Sequence, residues 1–239
     1  MRQVGLLAYE LLEFIKDYVK PGITTLELND LVAAETKKRG AISAPLNYHG
    51  FPKSICTSIN HVVCHGIPSE RVTLKEGDII NIDVTPILNG FHGDTSRTFT
   101  VGEVSPKAQK LIRCAKDCLE QAISLVSTDT RIGDIGAVIL SRAQKDGFSV
   151  VRDFVGHGIG RKFHEDPQIP HYGTKGKGMR FKPGMVFTIE PMINEGDYRC
   201  KILSDKWTAV TFDGKLSAQF EHMIGIKQDG SVHILTGPP

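Results

Sequence analysis

In this chain of 239 residues, Asp78-Ile79-Ile80-Asn81-Ile82-Asp83-Val84 and the later Phe91-His92-Gly93-Asp94-Thr95-Ser96 place two carboxylates at a telling spacing. Asn89-Gly90 between them is a hairpin signal, because both central positions of a type I′ turn need positive φ. With that turn, Asp83 lies opposite Ser96, and Asp94 is its diagonal neighbour. Side chains alternate along a strand, so both acids point to one face and Ile80, Ile82 and Val84 to the other. Either this face is solvated, or the acids are buried together. In the second case one must take up a proton or a cation must sit between them, since unpaired buried carboxylates cost roughly several kcal/mol.

More residues of ligand type lie downstream. His157 stands among glycines in Gly156-His157-Gly158-Ile159-Gly160, where backbone or ligand can approach closely; a turn histidine is the plainer alternative. Glu190 ends the apolar run Met185-Val186-Phe187-Thr188-Ile189 and shares a face with Thr188. Glu221 follows Ser217 and Gln219 on one face of another apolar stretch. Singly, such acids are edge or solvent-facing residues; together with a glycine-flanked imidazole they read better as one site. Asp83, Asp94, Glu190 and Glu221 supply four negative charges, which two divalent cations balance. Oxygen ligands with one imidazole and no thiolate suit Mn, Fe, Co or Zn. Two such ions ~3.5–4 Å apart lower the pKa of a shared water and polarise an electrophile, which is hydrolytic chemistry.

Other catalytic signatures are missing. There is no G-x-S-x-G elbow, and His164-Glu165 does not complete H-E-x-x-H, because position 168 is Gln. Gly156 to Gly160 lacks the glycine spacing of a dinucleotide fingerprint.

The elements that must position these residues follow from periodicity. Residues 2–19 carry Leu6, Leu7, Leu11, Leu12, Ile15 and Val19 at helical spacing, stopped by Pro21-Gly22. Thr24-Thr25-Leu26-Glu27 is a capping box for a second helix that runs to about Arg39 and ends at Gly40. A β-like stretch from Ser54 to Cys64 precedes the hairpin. Ser105-Pro106 caps and starts a third helix, through Leu111, Ile112, Ala115, Leu119, Ala122 and Ile123. After a turn at Thr128–Arg131, a fourth helix spans Asp134 to Lys145. Strands are expected at Phe148–Val155, Met185–Glu190, Thr208–Phe212, Ser217–Ile226 and Val232–Leu235. Each half thus reads helix, turn, helix, strands, which suggests an α+β duplication with two halves around one shared antiparallel sheet and one central site. The whole of 1–239 is treated as a single catalytic domain, with halves at about 1–104 and 105–239.

Composition sets the class. With 40% hydrophobic and 23% charged residues the chain is globular, and a net charge of +2 gives no sign of a nucleic-acid or membrane-surface partner. No run approaches the ~20 apolar residues of a membrane span, and the N-terminus lacks a signal-peptide core, so a cytoplasmic protein is expected. The five cysteines, Cys56, Cys64, Cys114, Cys118 and Cys200, form no C-x-x-C pair, and a disulfide framework is not expected.

These residues together resemble the type I methionine aminopeptidases of bacterial kind, which have the pita-bread fold. The resemblance covers nearly the whole chain and rests on ordered motifs. They are Tyr48-His49-Gly50-Phe51-Pro52, Val63-Cys64-His65-Gly66-Ile67-Pro68, Asn81-Ile82-Asp83-Val84, His92-Gly93-Asp94-Thr95, Gly156-His157-Gly158-Ile159-Gly160, His164-Glu165-Asp166-Pro167, Thr188-Ile189-Glu190-Pro191 and Gln219-Phe220-Glu221-His222. It implies that Asp83, Asp94, His157, Glu190 and Glu221 bind two divalent metal ions, with Asp94 and Glu221 bridging. It implies a monovalent cation at the backbone of Asn60 and Val62 with Ser217. His65, His164 and Glu190 would be catalytic. Tyr48, Phe51, Cys56, Phe163 and Trp207 would line the methionine pocket, with plain core packing the alternative for each aromatic. Pro45 and Phe51 depart from the residues frequent in bacterial relatives, Cys and Tyr, and bear on pocket shape.

Only thirty residues lie between Glu190 and Glu221, too few for the long helical insertion of type II enzymes. No Cys-rich extension precedes the first helix, and the chain starts slightly inside the family's usual N-terminus. The implied reaction is removal of an N-terminal Met that precedes a small residue. Glu190 would handle the proton, His164 would stabilise the oxyanion, and His65 would contact the leaving peptide nitrogen. Nascent polypeptide N-termini are the implied partners, with transient ribosome contact and a monomeric enzyme. The rival readings are an X-Pro aminopeptidase or prolidase, and a catalytically dead pita-bread binding protein.

Overall fold

The computed structural model describes residues 1–238. Its first half contains α1 (Arg2–Lys16), α2 (Thr25–Lys38), β1 (Ile42–Ser43), a 3-10 turn (Tyr48–Gly50), β2 (Cys56–Ile59), β3 (Val62–Cys64), β4 (Ile79–Val84), β5 (Pro86–Leu88), β6 (Phe91–His92) and β7 (Thr95–Thr100). The second contains α3 (Pro106–Leu125), α4 (Ile132–Lys145), β8 (Ser149–Val150), β9 (Gly156–Gly158), β10 (Glu165–Ile169), β11 (Val186–Ile189) and β12 (Met192–Asn194). It ends with β13 (Cys200–Ile202), β14 (Ala209–Thr211), β15 (Ser217–Gln219), β16 (His222–Ile226) and β17 (Val232–Ile234).

The helices begin where their caps dictate. Both hydrogen bonds of the Thr24/Glu27 capping box form at α2. Ser105 accepts from the Ala108 N–H at the start of α3, with Pro106 in the first turn, where its missing N–H has no cost. Helix α4 starts two residues before the expected Asp134, whose carboxylate instead accepts from Arg131 N–H at 2.8 Å. Helix α1 stops at Lys16, short of Val19, as the chain tightens through Tyr18 N–H to Ile15 C=O and Val19 N–H to Lys16 C=O bonds.

Each half has its own apolar core. In the first, Leu7, Leu11, Leu28 and Val32 of the helices pack on Ile80, Ile82 and Val84 of β4. In the second, Leu111, Leu119, Ile135 and Ile139 pack on Phe187, Ile189, Ile193 and Ile224. Cys114 and Cys118 are small buried members of that core, and all the cysteines are free thiols.

Every strand pairing is antiparallel. The expected shared sheet is divided into short sheets, ordered β2-β4-β7, β1-β5-β6, β13-β14-β3, β15-β12-β8 and β10-β9-β11-β16-β17. A single bridge between Arg97 and Phe220 joins β7 to the second half. Around the hairpin the register is as read from the turn: Asn89 (φ 54°) and Gly90 (φ 76°) form its tip, Leu88 faces Phe91, and Asp83 faces Ser96.

Three strand expectations change, the first being that Ser54–Cys64 is divided into β2 and β3 of different sheets. Ser217–Ile226 is not one strand but β15 and β16, which belong to different sheets and break at Phe220-Glu221. Of Phe148–Val155 only Ser149–Val150 is strand. His157 lies on β9, a strand, and its flanking glycines have a packing reason. A Cβ at Gly158 would sit 2.2 Å from the Asp166 carbonyl oxygen, and one at Gly156 would sit 2.4 Å from that of Thr188. Strands β10 and β11 close on β9 from both sides.

Gly158→Ala is therefore expected to destabilise the protein by about 1–3 kcal/mol through overpacking. That lowers the melting temperature by roughly 3–10 °C for a chain of this size. Scanning calorimetry checks it; an unchanged melting temperature contradicts the close approach of β10.

Candidate metal centre

The acids gather where strands change sheets. Asp94 lies between β6 and β7, Glu190 between β11 and β12, and Glu221 between β15 and β16. At such points the ladder is interrupted and a side chain can be re-aimed out of the regular alternation. Glu221 is held by its backbone: its N–H donates to Ser96 C=O at 3.0 Å, and its C=O accepts from Thr95 Oγ1 at 2.7 Å. Pro191 follows Glu190 and has no N–H to extend β11.

Single ligand atoms of Asp94, His157 and Glu221 lie within 4.8 Å of one another, and all three residues are buried. His157 Nε2 is 3.5 Å from Asp94 Oδ2 and 3.6 Å from Glu190 Oε1. His157 Nδ1 is 2.9 Å from Gly158 C=O. A proton on Nδ1 makes that contact a hydrogen bond and frees the Nε2 lone pair to face the acids. Asp83 sits on β4 beside them, Cα partner of Cys56 on one side and Ser96 on the other, and its Oδ1 is buried with no hydrogen-bond partner.

Neutral donors secure the remaining oxygens. Thr85 Oγ1 donates to Asp94 Oδ1 at 2.8 Å. Thr188 Oγ1 accepts from His157 N–H at 3.0 Å and donates to Glu190 Oε1 at 2.9 Å, tying two site residues through one hydroxyl. Gln219 Nε2 is 3.4 Å from Glu190 Oε2.

The electrostatics show what is missing. Burial and the charges of Asp94 and Glu190 push the Asp83 carboxyl well above its usual range. Burial, with the same neighbours and Asp83, does the same to Glu221. Burial raises Glu190 to about 7. Burial would lower His157, but its contact as donor to the Asp94 carboxylate and the charges of Glu190 and Asp94 outweigh it and lift the imidazole to about 9. Protons thus stand in for positive charge. An orphaned carboxylate oxygen, crowded acids and one imidazole whose Nε2 faces them form a donor set that fits hard or borderline divalent cations, which would replace those protons.

Above these residues a cavity of about 960 Å³ is lined by Tyr48, Phe51, Cys56, His65, Phe163, His164 and Trp207 together with Asp83, Asp94, His157, Glu190 and Glu221. Phe51 meets Trp207 edge-on at 5.2 Å, and Tyr48 packs on Phe163 at 4.9 Å. Trp207 is presented by a turn in which Asp205 Oδ1 accepts from the N–H groups of Trp207 and Thr208. His65 has φ 56°, a left-handed conformation sparsely populated by non-glycine residues, and its ring lies 5.3 Å from Phe154. Burial lowers His65 and, helped by the charge of His157, takes His164 down to about 4, so both are neutral. The His164 ring centroid is 4.3 Å from that of His157, and Tyr48 OH is 2.8 Å from His164 Nδ1. Asn60 and Ser217, the expected monovalent-cation residues, are neighbours, with Ser217 N–H donating to Asn60 C=O at 2.8 Å.

Sequence reasoning missed His171. It is fully buried, and its Nε2 accepts the Glu190 N–H at 3.1 Å. Nothing in Ile169-Pro170-His171 marks it; only the tertiary fold brings it beneath Glu190. Asp153, Phe154, Arg161, Lys162, Gln168 and Met192 also line the cavity without having been singled out.

The chain is similar to known metallopeptidases. The family model for metallopeptidase family M24 matches residues 1–228. Methionine aminopeptidase A from a Synechocystis species is 63% identical over 99% of this chain and 93% of its own length. The crystal structure of methionine aminopeptidase from Rickettsia prowazekii superposes with a TM-score of 0.96 at 54% identity, covering 99% of this chain and 95% of that one. A Xaa-Pro dipeptidase from Bacillus anthracis shares the fold, with a TM-score of 0.79 at 20% identity, but this chain covers only 59% of it. No helix among the described residues is long and apolar enough to cross a membrane.

The proton-filled centre has a pH consequence. Glu190 at about 7, against an ordinary 4.5, binds a proton in the folded apoprotein that the unfolded chain has lost in that window. Its contribution to stability therefore falls as pH rises through it. His157 acts in the same direction: the stabilisation is full below its ordinary 6.5 and lost as pH rises through about 9. A bound cation replaces those protons. The rise in melting temperature produced by saturating Mn²⁺ is thus expected to be larger at about pH 7.5 than at about pH 5.5. Thermal denaturation with and without metal checks this; equal rises at both pH values contradict the assignment.

Proposed function

The chain belongs to metallopeptidase family M24, among its methionine aminopeptidases, and we propose that the cavity just described removes the first methionine of nascent polypeptides when a small residue follows. The activity is that of a divalent-metal-dependent aminopeptidase on the pita-bread fold. The observation that carries the reading is the convergence of Asp83, Asp94, His157, Glu190 and Glu221 on the floor of a cavity walled by aromatic side chains.

In this reading those five residues would hold divalent cations, Co, Mn, Fe or Zn, and their four carboxylate charges would balance two of them. When bound, the ions supply Lewis acidity and make water a stronger acid at neutral pH. Glu190, ionised once bound cations replace the proton that burial favours, takes a proton from the attacking water and passes it to the leaving amine. Neutral His164 donates to the oxygen that gains charge as the peptide carbonyl is attacked. His65 contacts the nitrogen of the scissile bond. Tyr48, Phe51, Cys56, Phe163 and Trp207 enclose the methionine side chain, whose thioether packs well on aromatic edges. A monovalent cation at Asn60, Val62 and Ser217 completes the proposal. Residues 1–239 act as one catalytic domain with pseudo-halves 1–104 and 105–239. The enzyme works in the cytoplasm as a monomer with transient ribosome contact.

Against a prolidase stands the 63% identity with a methionine aminopeptidase, compared with 20% for the Xaa-Pro dipeptidase. Against a dead binding protein stands the complete set of five acidic and imidazole residues.

Asp94→Asn and Glu221→Gln are each expected to abolish hydrolysis of Met-Ala-Ser and weaken metal binding, because each removes one of the negative charges that would hold the cations. Turnover assays with metal analysis of the purified variants check this. Near wild-type turnover with full metal content in either variant contradicts the two-metal assignment.

A second expectation concerns the residue after methionine. The scissile bond must fit between His65 and His164, so a long second side chain displaces the carbonyl, and a shift of ~1 Å costs about a hundredfold in rate. Met-Ala-Ser is expected to exceed Met-Lys-Ser in kcat/KM by about that factor. Equal values, or preferential cleavage of Ala-Pro peptides, remove this substrate assignment.

A further inference from the structure

Tyr48 has two faces in this cavity. Its ring packs against Phe163 at 4.9 Å and His49 at 4.4 Å, while its hydroxyl reaches His164 Nδ1 at 2.8 Å. The ring suffices for a wall of the methionine pocket, and a hydroxyl adds nothing to an apolar wall. The loop that presents it is held in an unusual conformation. Asn47 (φ 66°) and His49 (φ 48°), on either side of Tyr48, are both left-handed. Asn47 N–H donates to Phe51 C=O at 2.8 Å, and Phe51 N–H donates to Tyr48 C=O at 2.9 Å, so the loop is closed on itself. Left-handed non-glycine residues cost of order 1–3 kcal/mol each and persist where surrounding structure over-determines them.

Resting on the reading of His164 as the oxyanion donor, we propose that the Tyr48 hydroxyl is a positioning group that fixes the His164 tautomer. A neutral imidazole carries one proton, on Nδ1 or on Nε2, and only the Nε2–H form donates toward the reacting carbonyl. The phenol proton has no other acceptor among the described residues, and an imidazole nitrogen is a better base than a phenol oxygen. Tyr48 O–H therefore donates to Nδ1, which places the His164 proton on Nε2. The ring is also held in its plane. Phe163 stacks on His164 with centroids 4.3 Å apart and planes 19° apart, and His92 stacks on the far side of Phe163 at 5.7 Å. Stacking restrains tilt but is blind to which nitrogen is protonated. The hydroxyl is the one observed contact that distinguishes them.

Tyr48→Phe separates the two roles, since it keeps the ring and removes only the hydroxyl. The expected result with Met-Ala-Ser is a fall in kcat of about tenfold or more, because a histidine in the wrong tautomer supplies no donor. KM stays within about twofold, since the methionine contacts are unchanged. Metal content and melting temperature stay at wild-type values. In a His164→Ala background, Tyr48→Phe is expected to cause no further loss, since it acts through that ring. An unchanged kcat, a rise in KM alone, or losses that add in the double variant each overturn the proposal.

A measurement independent of activity keeps the test separate from the proposed function. Long-range ¹H–¹⁵N correlation spectra of the ¹⁵N-histidine-labelled protein with Zn²⁺ report each ring's tautomer. His164 is assigned by the signals lost in His164→Ala. The expected wild-type spectrum shows His164 protonated on Nε2, with Tyr48→Phe shifting it to a mixture or to Nδ1. The same tautomer in both proteins overturns the proposal even if the enzyme is fully active. Inactivity of the wild type on Met-Ala-Ser with the expected spectra would instead count against the substrate reading alone.

Discussion

Three buried carboxylates and the half-buried Asp83 around one imidazole form a cluster that cannot stay fully charged without a counter-charge. Much of the surrounding structure can be understood as the means of holding such a cluster in a fold that would otherwise repel it. The unpartnered Asp83 oxygen, the raised carboxyls of Asp83, Glu190 and Glu221, and the raised His157 all express the same frustration. Divalent cations relieve it directly, so metal binding and stability are linked in this protein.

The backbone solution is to place the acids at discontinuities. In an uninterrupted strand, Asp94, Glu190 and Glu221 would alternate with their neighbours and point along their own sheets. At the hand-over between sheets, each side chain is turned toward the seam between the halves. Each half has its own large apolar core, and a smaller cluster of Val63, Cys64, Val151, Met192 and Ala209 joins them beside the polar site. The neutral donors Thr85, Thr188 and Gln219 then hold individual oxygens in place without adding a positive charge that would compete with a metal. His171 adds a buried acceptor for the Glu190 main chain, just where β11 has run out of partners.

The cavity above the acids obeys a different logic. Its walls are aromatic and its histidines neutral, because burial disfavours the imidazolium and His157 already carries the positive charge of the region. In the proposed function, neutral histidines would donate to developing negative charge without competing with a cation for the acids, and the apolar wall and charged floor would divide side-chain recognition from bond cleavage.

How much of this was legible in the sequence depended on the range of the forces involved. Caps at Thr24 and Ser105, the Asn89-Gly90 turn and the Asp83–Ser96 register are set by residues a few positions apart, and the sequence determined them. The two-helix opening of each half and the helix stripes of its core were equally readable, because helical periodicity is local. Residue type alone also picked out the acids and His157, whose burial together needs a chemical reason. What only the tertiary structure decided was everything set by contacts between distant segments. It split Ser217–Ile226 into strands of two sheets, because Phe220 pairs with Arg97 rather than continuing its own ladder. It made His157 a strand residue, since β10 and β11 close upon glycines that look like a turn in isolation. It brought His171 beneath Glu190 and the Tyr48 hydroxyl onto His164, pairings separated by 19 and 116 residues that no periodicity encodes.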